Sequence, residues 1–248
     1  YDIKNIIGHN VDYVISSSFH VNNLDELVVN GEIITYKYSK FKDEKIISLI
    51  EKKNIETKLL EPRELDKMCK GLHQGIILEV ENVKTYSFDD IIPNINKEYP
   101  LIVILDHIED PHNFGAIIRS SEAFGVDAII IPNDRSVGIT STVVKTSVGT
   151  IDKVKIVKVT NLNNTINKLK DYGYWIVGTD MEGEDYTIID YKTKIAVIIG
   201  NEGKGISRLV SENCDYLAKI PMKGTVNSLN ASVACGIFLS EIVRSRGN

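Results

Sequence analysis

Residues 101–131 read LIVILDHIEDPHNFGAIIRSSEAFGVDAIII. The stretch opens with LIVIL and closes with DAIII, apolar runs that are typical of strands buried on both faces of a parallel sheet. Between them, Asp110-Pro111 predicts a turn, and Asn113 is suited to cap an amphipathic helix. The stretch therefore predicts a strand, a crossover helix and a second parallel strand.

Four further apolar runs follow the same pattern and are separated by polar or helical segments. They lie at residues 154–157, 174–177, 195–199 and 216–220. Buried strands that alternate with helices predict an α/β fold with a mainly parallel sheet. Because ligands of such sheets bind beyond the carboxyl ends of the strands, the residues that follow each run are candidates for a functional site.

The composition indicates a globular protein. Of its 248 residues, 43% are hydrophobic and 25% charged, and the net charge of −5 argues against a strongly basic nucleic-acid-binding module. An RNA partner would have to meet a local basic cluster, such as Lys52, Lys53 and Lys58. No apolar run approaches the roughly 18 residues that span a bilayer, and no signal peptide opens the sequence, so we expect a cytoplasmic protein without a membrane partner.

The cysteines and histidines give no support for a metal site. Cys69, Cys214 and Cys235 are far apart and form no CxxC pair, which favours reduced core residues over zinc ligands or disulfides. His107 and His112 have no third ligand at a compatible spacing. We therefore expect solvated loop histidines and no metal.

The first third of the sequence predicts a separate small domain. Residues 1–80 alternate strand and helix patterns, which indicates an α/β domain of the αβα-layered type, whereas residues 81–97 lose this regularity and indicate a linker before a second domain at 98–248. The predicted strands of the small domain are Val11–Ile15, Ile33–Tyr38, Ile55–Leu60 and Gly75–Val80, and its predicted helices are Phe41–Lys53 and Glu61–Lys70.

A glycine-rich loop follows the apolar run at 195–199. It reads GNEGKGIS at residues 200–207, with Glu202 as its lone carboxylate. A P-loop would need lysine directly after the second framing glycine, where Ile206 stands, and a dinucleotide fingerprint would need glycine at Arg208. Neither common phosphate-binding loop fits, which disfavours a nucleotide-binding enzyme of those classes.

Two further segments allow both a structural and a functional interpretation. Arg119 and Glu122 either pair on one helix face or leave Arg119 at the mouth of a site. Residues 220–235 read IPMKGTVNSLNASVAC and crowd polar side chains at the start of the last predicted helix. Either that helix has more capping residues than it needs, or a polar ligand binds against its end. The crowded residues are Asn227, Ser228, Asn230 and Ser232.

Three blocks together resemble a known family. DHIEDPHNFGAIIRSSEAFG at 106–125, VIIGNEGKGIS at 197–207 and IPMKGTVNSLNASVACGIF at 220–238 are similar, in order and separation, to the motifs of the SpoU (TrmH-like) RNA ribose 2′-O-methyltransferases. LHQGIILEV at 72–80 is similar to the end of the small RNA-binding domain in the branch that modifies guanosine in 23S rRNA. The resemblance covers essentially the whole chain.

The resemblance implies a trefoil-knotted, homodimeric enzyme that transfers a methyl group from S-adenosylmethionine. The last helix, expected at Leu229–Arg244, would form part of the dimer interface. The residues implied for cofactor binding are Thr179, Gly200, Ile220, Met222 and Leu229. The residues implied for catalysis are Asn113, Arg119, Glu202, Ser228 and Asn230.

The implied substrate is RNA, most specifically a guanosine of 23S rRNA or of an assembling large ribosomal subunit. A tRNA guanosine, an antibiotic-resistance site on rRNA and a non-catalytic RNA-binding role remain alternatives. In the reaction, Asn113 and Asn230 would position groups by hydrogen bonds, and Glu202 would order the loop and Arg119. Because a guanidinium resists deprotonation, we expect Arg119 to bind phosphate and stabilise developing negative charge. The sequence does not identify the general base.

Overall fold

The computed structural model describes residues 13–16, 33–38, 51, 56–68, 76–80, 83–134, 136–226 and 228–247. The chain forms two compact units. The first combines Tyr1–Lys84 with Ile139–Asp152, and the second combines Thr85–Gly138 with Lys153–Asn248. All ten site residues predicted from the sequence lie in the second unit.

The first unit contains a four-stranded sheet. Its strand order is β1-β4-β2-β3, in which β4 is antiparallel to both of its neighbours and β2 is parallel to β3. All four predicted strands of this region are confirmed, with ends that differ by up to two residues. The predicted helix Phe41–Lys53, apart from Glu51, lies outside the described residues, as does Cys69. The elements are β1 (Tyr13–Ser16), β2 (Ile33–Tyr38), β3 (Glu56–Leu59), helix α1 (Pro62–Met68), β4 (Ile76–Val80) and, in the later segment, a short helix at Ser141–Thr146.

The second unit is built on a seven-stranded parallel sheet with the order β11-β9-β10-β6-β7-β8-β5. This confirms the predicted α/β class. Its elements are β5 (Thr85–Tyr86), α2 (Phe88–Ile91), β6 (Leu101–Asp106), α3 (Pro111–Ala123), β7 (Ala128–Pro132), β8 (Lys155–Val159), α4 (Leu162–Asp171), β9 (Trp175–Asp185), β10 (Ile195–Gly200), α5 (Arg208–Glu212), β11 (Tyr216–Lys219) and α6 (Ala231–Arg246).

All six strands predicted from apolar runs in this unit are confirmed. Every residue of β6, β7 and β10 is buried, the pattern typical of central strands in a parallel sheet that is covered on both faces. Beyond the prediction, β9 continues to Asp185. From β6 the chain first adds β7 and β8 on one side of the sheet and then adds β9, β10 and β11 on the other, so the topology switches between the neighbouring strands β6 and β10. At such a switch point, open α/β sheets form a crevice at the carboxyl ends of their strands.

Part of the segment predicted as a linker belongs to the second unit. β5 pairs in parallel with β8, and Ser87 caps α2 through a reciprocal hydrogen-bond pair with Asp90. Phe88 and Ile92 are buried in the core of the same unit. Residues 85–92 are therefore regular structure, while the domain boundaries assigned from the sequence stay a prediction.

The two described cysteines are free thiols, as predicted. Cys235 is buried and Cys214 half-buried, and burial raises the pKa of each thiol to about 12. Both thiols therefore stay protonated near neutral pH, which disfavours a role as nucleophiles. Among the helices of the described residues, none is long and apolar enough to cross a bilayer.

Arg246, in the last turn of α6, holds together the segments that lead into the two central strands. Its guanidinium donates to the carbonyl of Tyr99 at 2.9 Å, just before β6. It also donates to the carbonyls of Tyr191 at 2.9 Å and Thr193 at 3.0 Å, just before β10. A guanidinium can serve several carbonyls at once because all its polar hydrogens are donors in a fixed plane.

We expect Arg246→Ala to lower the free energy of unfolding by about 2 kcal/mol, because it leaves partly buried carbonyls without a charged donor. Urea denaturation measures the change. The matched control is Arg208→Ala, which removes an exposed i,i+4 pair with Glu212 and should change stability by less than about 0.5 kcal/mol. Equal losses in the two variants would contradict the role given to Arg246.

Candidate active site

The loops that follow β6 and β10 are tied together at the carboxyl edge of the sheet. Asp106 lies opposite Gly200 in the strand register. The buried Asp106 carboxylate accepts the Ser207 backbone N–H at 2.6 Å and also contacts Nδ1 of His107. In return, the Asn201 side chain donates to the His107 carbonyl at 3.0 Å. The first and second motifs are thus joined by side-chain hydrogen bonds.

His107 lies in the loop after β6 with 38% of its side chain exposed, and it is also held by a buried carboxylate. Its ring contacts the buried Asp106, and its backbone adopts a φ of 60°, in the left-handed region that non-glycine residues seldom occupy. His112 is exposed. Within the described part of the chain, no three histidine, cysteine or acidic side chains form a group that could hold a metal ion.

The loop after β10 is a closed turn. Asn201 and Gly205 exchange two backbone hydrogen bonds, at 3.0 and 2.8 Å, and Gly205 has a φ of 68°. The Asn201 side chain accepts the N–H groups of Gly203 at 3.0 Å and Lys204 at 3.3 Å. This turn holds Glu202, which is half-buried, in a fixed position.

Three site residues predicted from separate motifs are joined by hydrogen bonds. Nδ2 of Asn113 donates to Oε1 of Glu202 in a short contact, and Nδ2 of Asn230 donates to Oδ1 of Asn113 at 2.8 Å. Oδ1 of Asn230 accepts the backbone N–H groups of Ser232 at 3.0 Å and Val233 at 3.4 Å. We call Glu202, Asn113 and Asn230 the amide relay. It connects all three motifs at the start of α6.

The helix starts at the relay differ from the sequence prediction. Asn113 does not cap α3; Asp110 does, by accepting the His112 N–H at 2.9 Å, and Asn113 is buried in the first turn. The last helix begins at Ala231, two residues later than expected, and Asn230 is its cap. Of the other proposed caps, Ser228 accepts no backbone N–H in the described chain, and Asn227 lies outside the described residues.

Arg119 and Ser228 are not part of the amide relay. Arg119 is exposed on α3, and within the described residues it makes no hydrogen bond or ion pair. The alternative pairing with Glu122 is therefore absent, and the Glu122 carboxylate is 3.9 Å from Nζ of Lys153 instead. Glu202 does not hold Arg119 in this structure. Ser228 is exposed two residues before the α6 cap.

The residues expected to bind the cofactor lie on three segments beyond strand ends. Thr179 is the first residue of a bulge in β9. Leu217 of β11 pairs with Gly178, and the next residue of β11 pairs with Glu184, so the register shifts between them. Gly200 ends β10 and faces its own loop so closely that a Cβ atom would lie 2.2 Å from the carbonyl carbon of Gly205. The remaining three, Ile220, Met222 and Leu229, are half-buried.

This arrangement fits S-adenosylmethionine. Half-buried apolar side chains offer contact area for an adenine ring, and residues 221–226 and 228–229 form no hydrogen bonds with other described residues. Their backbone polar groups are thus available to hydrogen-bond a ligand such as the cofactor.

Comparisons with known proteins agree with this geometry. The SpoU rRNA methylase family matches residues 100–240, and a domain described as RNA 2′-O ribose methyltransferase substrate binding matches residues 31–86. The chain belongs to the SpoU family. It is an S-adenosylmethionine-dependent RNA 2′-O-methyltransferase, as the resemblance in sequence implied.

Relatives of the SpoU family support this assignment along most of the chain. YacO of Bacillus subtilis, whose name places it among TrmH family tRNA/rRNA methyltransferases, is 42% identical over 206 residues, 82% of this chain and 83% of its own. The 23S rRNA (guanosine-2′-O-)-methyltransferase RlmB of Coxiella burnetii is 44% identical over 210 residues, 82% of this chain and 84% of its own.

A solved SpoU structure supports the fold and the cofactor. The methyltransferase AviRb from Streptomyces viridochromogenes, in complex with AdoMet, superimposes with a TM-score of 0.77 at 26% identity, over 89% of this chain and 86% of that chain. The fold of SpoU methyltransferases (the SPOUT type), which the resemblance in sequence implied, is therefore confirmed. The knotted path of the chain, the homodimer and the cytoplasmic location stay predictions.

Sequence reasoning missed Asp106 and Asn201, which join the loops of the SpoU site. One signal was present for each. Asp106 is the polar residue that ends a run of five buried apolar residues, and Asn201 stands directly before the lone carboxylate of the glycine loop. In a parallel sheet, residues at such positions lie at the ligand-binding edge.

Proposed function

We propose that the protein methylates the ribose 2′-hydroxyl of a guanosine in 23S rRNA, free or in an assembling large subunit. The observation that carries this proposal is the 44% identity to RlmB of Coxiella burnetii over 82% of the chain. The substrate-binding match at residues 31–86 supports it, since the resemblance in sequence implies a small RNA-binding domain before the catalytic domain in the branch that modifies 23S rRNA. In this reading the domains are 1–80 for RNA binding, 81–97 as linker and 98–248 for methyl transfer.

The test is a map of ribose methylation in 23S rRNA and tRNA from cells with and without the active protein. We expect one guanosine in 23S rRNA to lose its 2′-O-methyl group when the protein is absent. Loss of a tRNA methyl group alone would favour the second candidate, a tRNA guanosine. The name of YacO, which covers both RNA classes, keeps that candidate open.

Each proposed site residue has a role in this reaction. Thr179, Gly200, Ile220, Met222 and Leu229 would hold S-adenosylmethionine, which supplies an electrophilic methyl group. Asn113, Arg119, Glu202, Ser228 and Asn230 would orient the ribose and its phosphate. Correct alignment of the reacting groups contributes up to about 7–11 kcal/mol in ideal cases, so a metal is not needed.

Arg119 is free to meet the RNA because no described residue neutralises it. We expect Arg119→Ala to lower the turnover number about 100-fold, with less recovery in Arg119→Lys, since lysine lacks the planar pair of donors that fits phosphate. Affinity for S-adenosylhomocysteine should stay within about twofold of wild type. Near-normal turnover of both variants with cofactor bound would show that Arg119 is not catalytic.

We also propose a homodimer with α6 in its interface. Val233, on this helix, is 49% exposed although it is apolar, and Val226 in the preceding loop is 61% exposed. Light scattering after size exclusion measures the mass directly. Val233→Glu should shift the protein toward the monomer if α6 lies in the interface, and an unchanged dimer would place the interface elsewhere.

A further inference from the structure

The orientation of every amide in the relay is fixed by the backbone of α6. The N–H groups of Ser232 and Val233 can only donate, so the oxygen of Asn230 must face the helix and its Nδ2 must face Asn113. Nδ2 of Asn230 then requires the oxygen of Asn113, whose own Nδ2 is left to face Glu202. Since amide orientations are otherwise ambiguous, this chain of donors determines them.

At the end of the relay, Glu202 must accept a hydrogen bond. Oε1 receives Nδ2 of Asn113, while Oε2 has no hydrogen-bond partner among the described residues. Asn230 is exposed and uses one of its two Nδ2 hydrogens. The relay therefore offers one free carboxylate oxygen and one free N–H. A hydroxyl group has the complementary needs, because it donates through its hydrogen and accepts through its oxygen.

We propose that Oε2 of Glu202 is the base that takes the proton from the ribose 2′-hydroxyl, while Asn230 holds the hydroxyl oxygen. The proposal rests on the site residues assigned above. As the O–H bond breaks, its proton passes to Oε2 and the oxygen electron pair forms the new bond to the methyl carbon. The electron pair of the sulfur–methyl bond returns to sulfur, and Glu202 then releases the proton to solvent.

The other candidate groups near the site are less suited to this task. The buried Asp106 already uses both carboxylate oxygens, one for the Ser207 N–H and one for His107. The ring of His107 is bound to Asp106, and no hydrogen bond links it to the relay within the described chain. Arg119 has five donors and no acceptor. Glu202 is thus the basic group of the relay with a free oxygen.

The decisive variant is Glu202→Gln. Glutamine keeps an oxygen that accepts from Asn113, so the loop and the relay are preserved, but it cannot take a proton. We expect methyl transfer in a single turnover to fall about 100-fold or more, the usual contribution of a general base. Calorimetric affinity for S-adenosylhomocysteine and filter-binding affinity for the RNA should each stay within about threefold.

Two further variants separate a base from a structural residue. Glu202→Ala should regain at least about tenfold of its lost rate when formate is added, since a small carboxylate can occupy the vacated space and take the proton. The matched control is Glu109→Gln, an exposed carboxylate near the same loops, which should retain wild-type turnover.

Several results would overturn the proposal. Turnover of Glu202→Gln within threefold of wild type removes Glu202 as the base, and so does an equal loss of S-adenosylhomocysteine affinity and turnover, since Glu202 then only orders the loop. All variants are assayed on whichever RNA the methylation map identifies. A tRNA substrate would refute the proposed 23S rRNA target without affecting this test. A methyl group found on a nucleobase, and not on a ribose, would refute both the proposed function and the role of Glu202.

Discussion

Replacement of Gly200 by alanine should strongly weaken cofactor binding. A Cβ atom at this position would lie 2.2 Å from the carbonyl carbon of Gly205 and 2.3 Å from the nitrogen of Ile206. Both atoms belong to the backbone of the closed turn, so the turn itself has to open. Overlap of this kind costs about 3 kcal/mol or more. We expect calorimetry to show a loss of about 100-fold or more in S-adenosylhomocysteine affinity.

Gly203 provides the matched control in the same turn. A Cβ atom there would meet only Oδ1 of Asn201, at an ordinary contact distance of 3.6 Å. Gly203→Ala should therefore bind the cofactor product within about threefold of wild type. Similar losses in the two variants would mean that replacing either glycine of the turn weakens cofactor binding. The close approach at Gly200 would then not be the cause.

The second large effect is expected for Asn113→Asp. This change keeps the size of the side chain but places a carboxylate against Oε1 of Glu202, where the short hydrogen bond from Nδ2 is now made. Two like charges in a buried contact oppose each other, and one has to take up a proton or move away. We expect a loss of about 1,000-fold in single-turnover methyl transfer, and weaker binding of S-adenosylhomocysteine, because the two opposed carboxylates must separate or share a proton and the relay is then disrupted.

A double variant tests whether the donor between these two residues matters. In Asn113→Asp with Glu202→Gln, the glutamine amide can donate to the new aspartate, and the relay is restored with its direction reversed at one bond. Affinity for S-adenosylhomocysteine should return to within about fivefold of wild type. Methyl transfer should stay low if Glu202 is the base. No recovery of affinity would contradict the importance assigned to this hydrogen bond.

Six strands of the second unit could be predicted because each contains a short, mostly unbroken apolar run between polar segments. β5 was missed since two residues, Thr85 and Tyr86, carry no periodicity, and its pairing with β8 is set by the sheet edge. The helix starts were harder. Asn227, Ser228 and Asn230 are all capable caps, and the choice depends on which of them adopts the extended backbone angles before the first helical residue.

The contacts of the site could not be predicted in the same way. Glu202 and Asn113 are 89 residues apart in sequence, and Asn230 and Asn113 are 117 apart. Residue types and order suggested that they act together, but hydrogen-bond direction follows from where α6 begins. The resemblance to the SpoU family supplied the candidates, and the geometry separates the relay from Arg119 and Ser228.

The position of Arg246 has a consequence for biosynthesis. The carbonyls that it binds belong to residues 99, 191 and 193, so these contacts at the entry to both central strands form only after residue 246 has left the ribosome. The paired residues of the neighbouring strands β6 and β10 are themselves more than 90 positions apart in the sequence. The second unit should therefore complete its folding only once Arg246 has emerged, and nascent chains halted before residue 246 should be more sensitive to protease than chains in which this residue has left the ribosome.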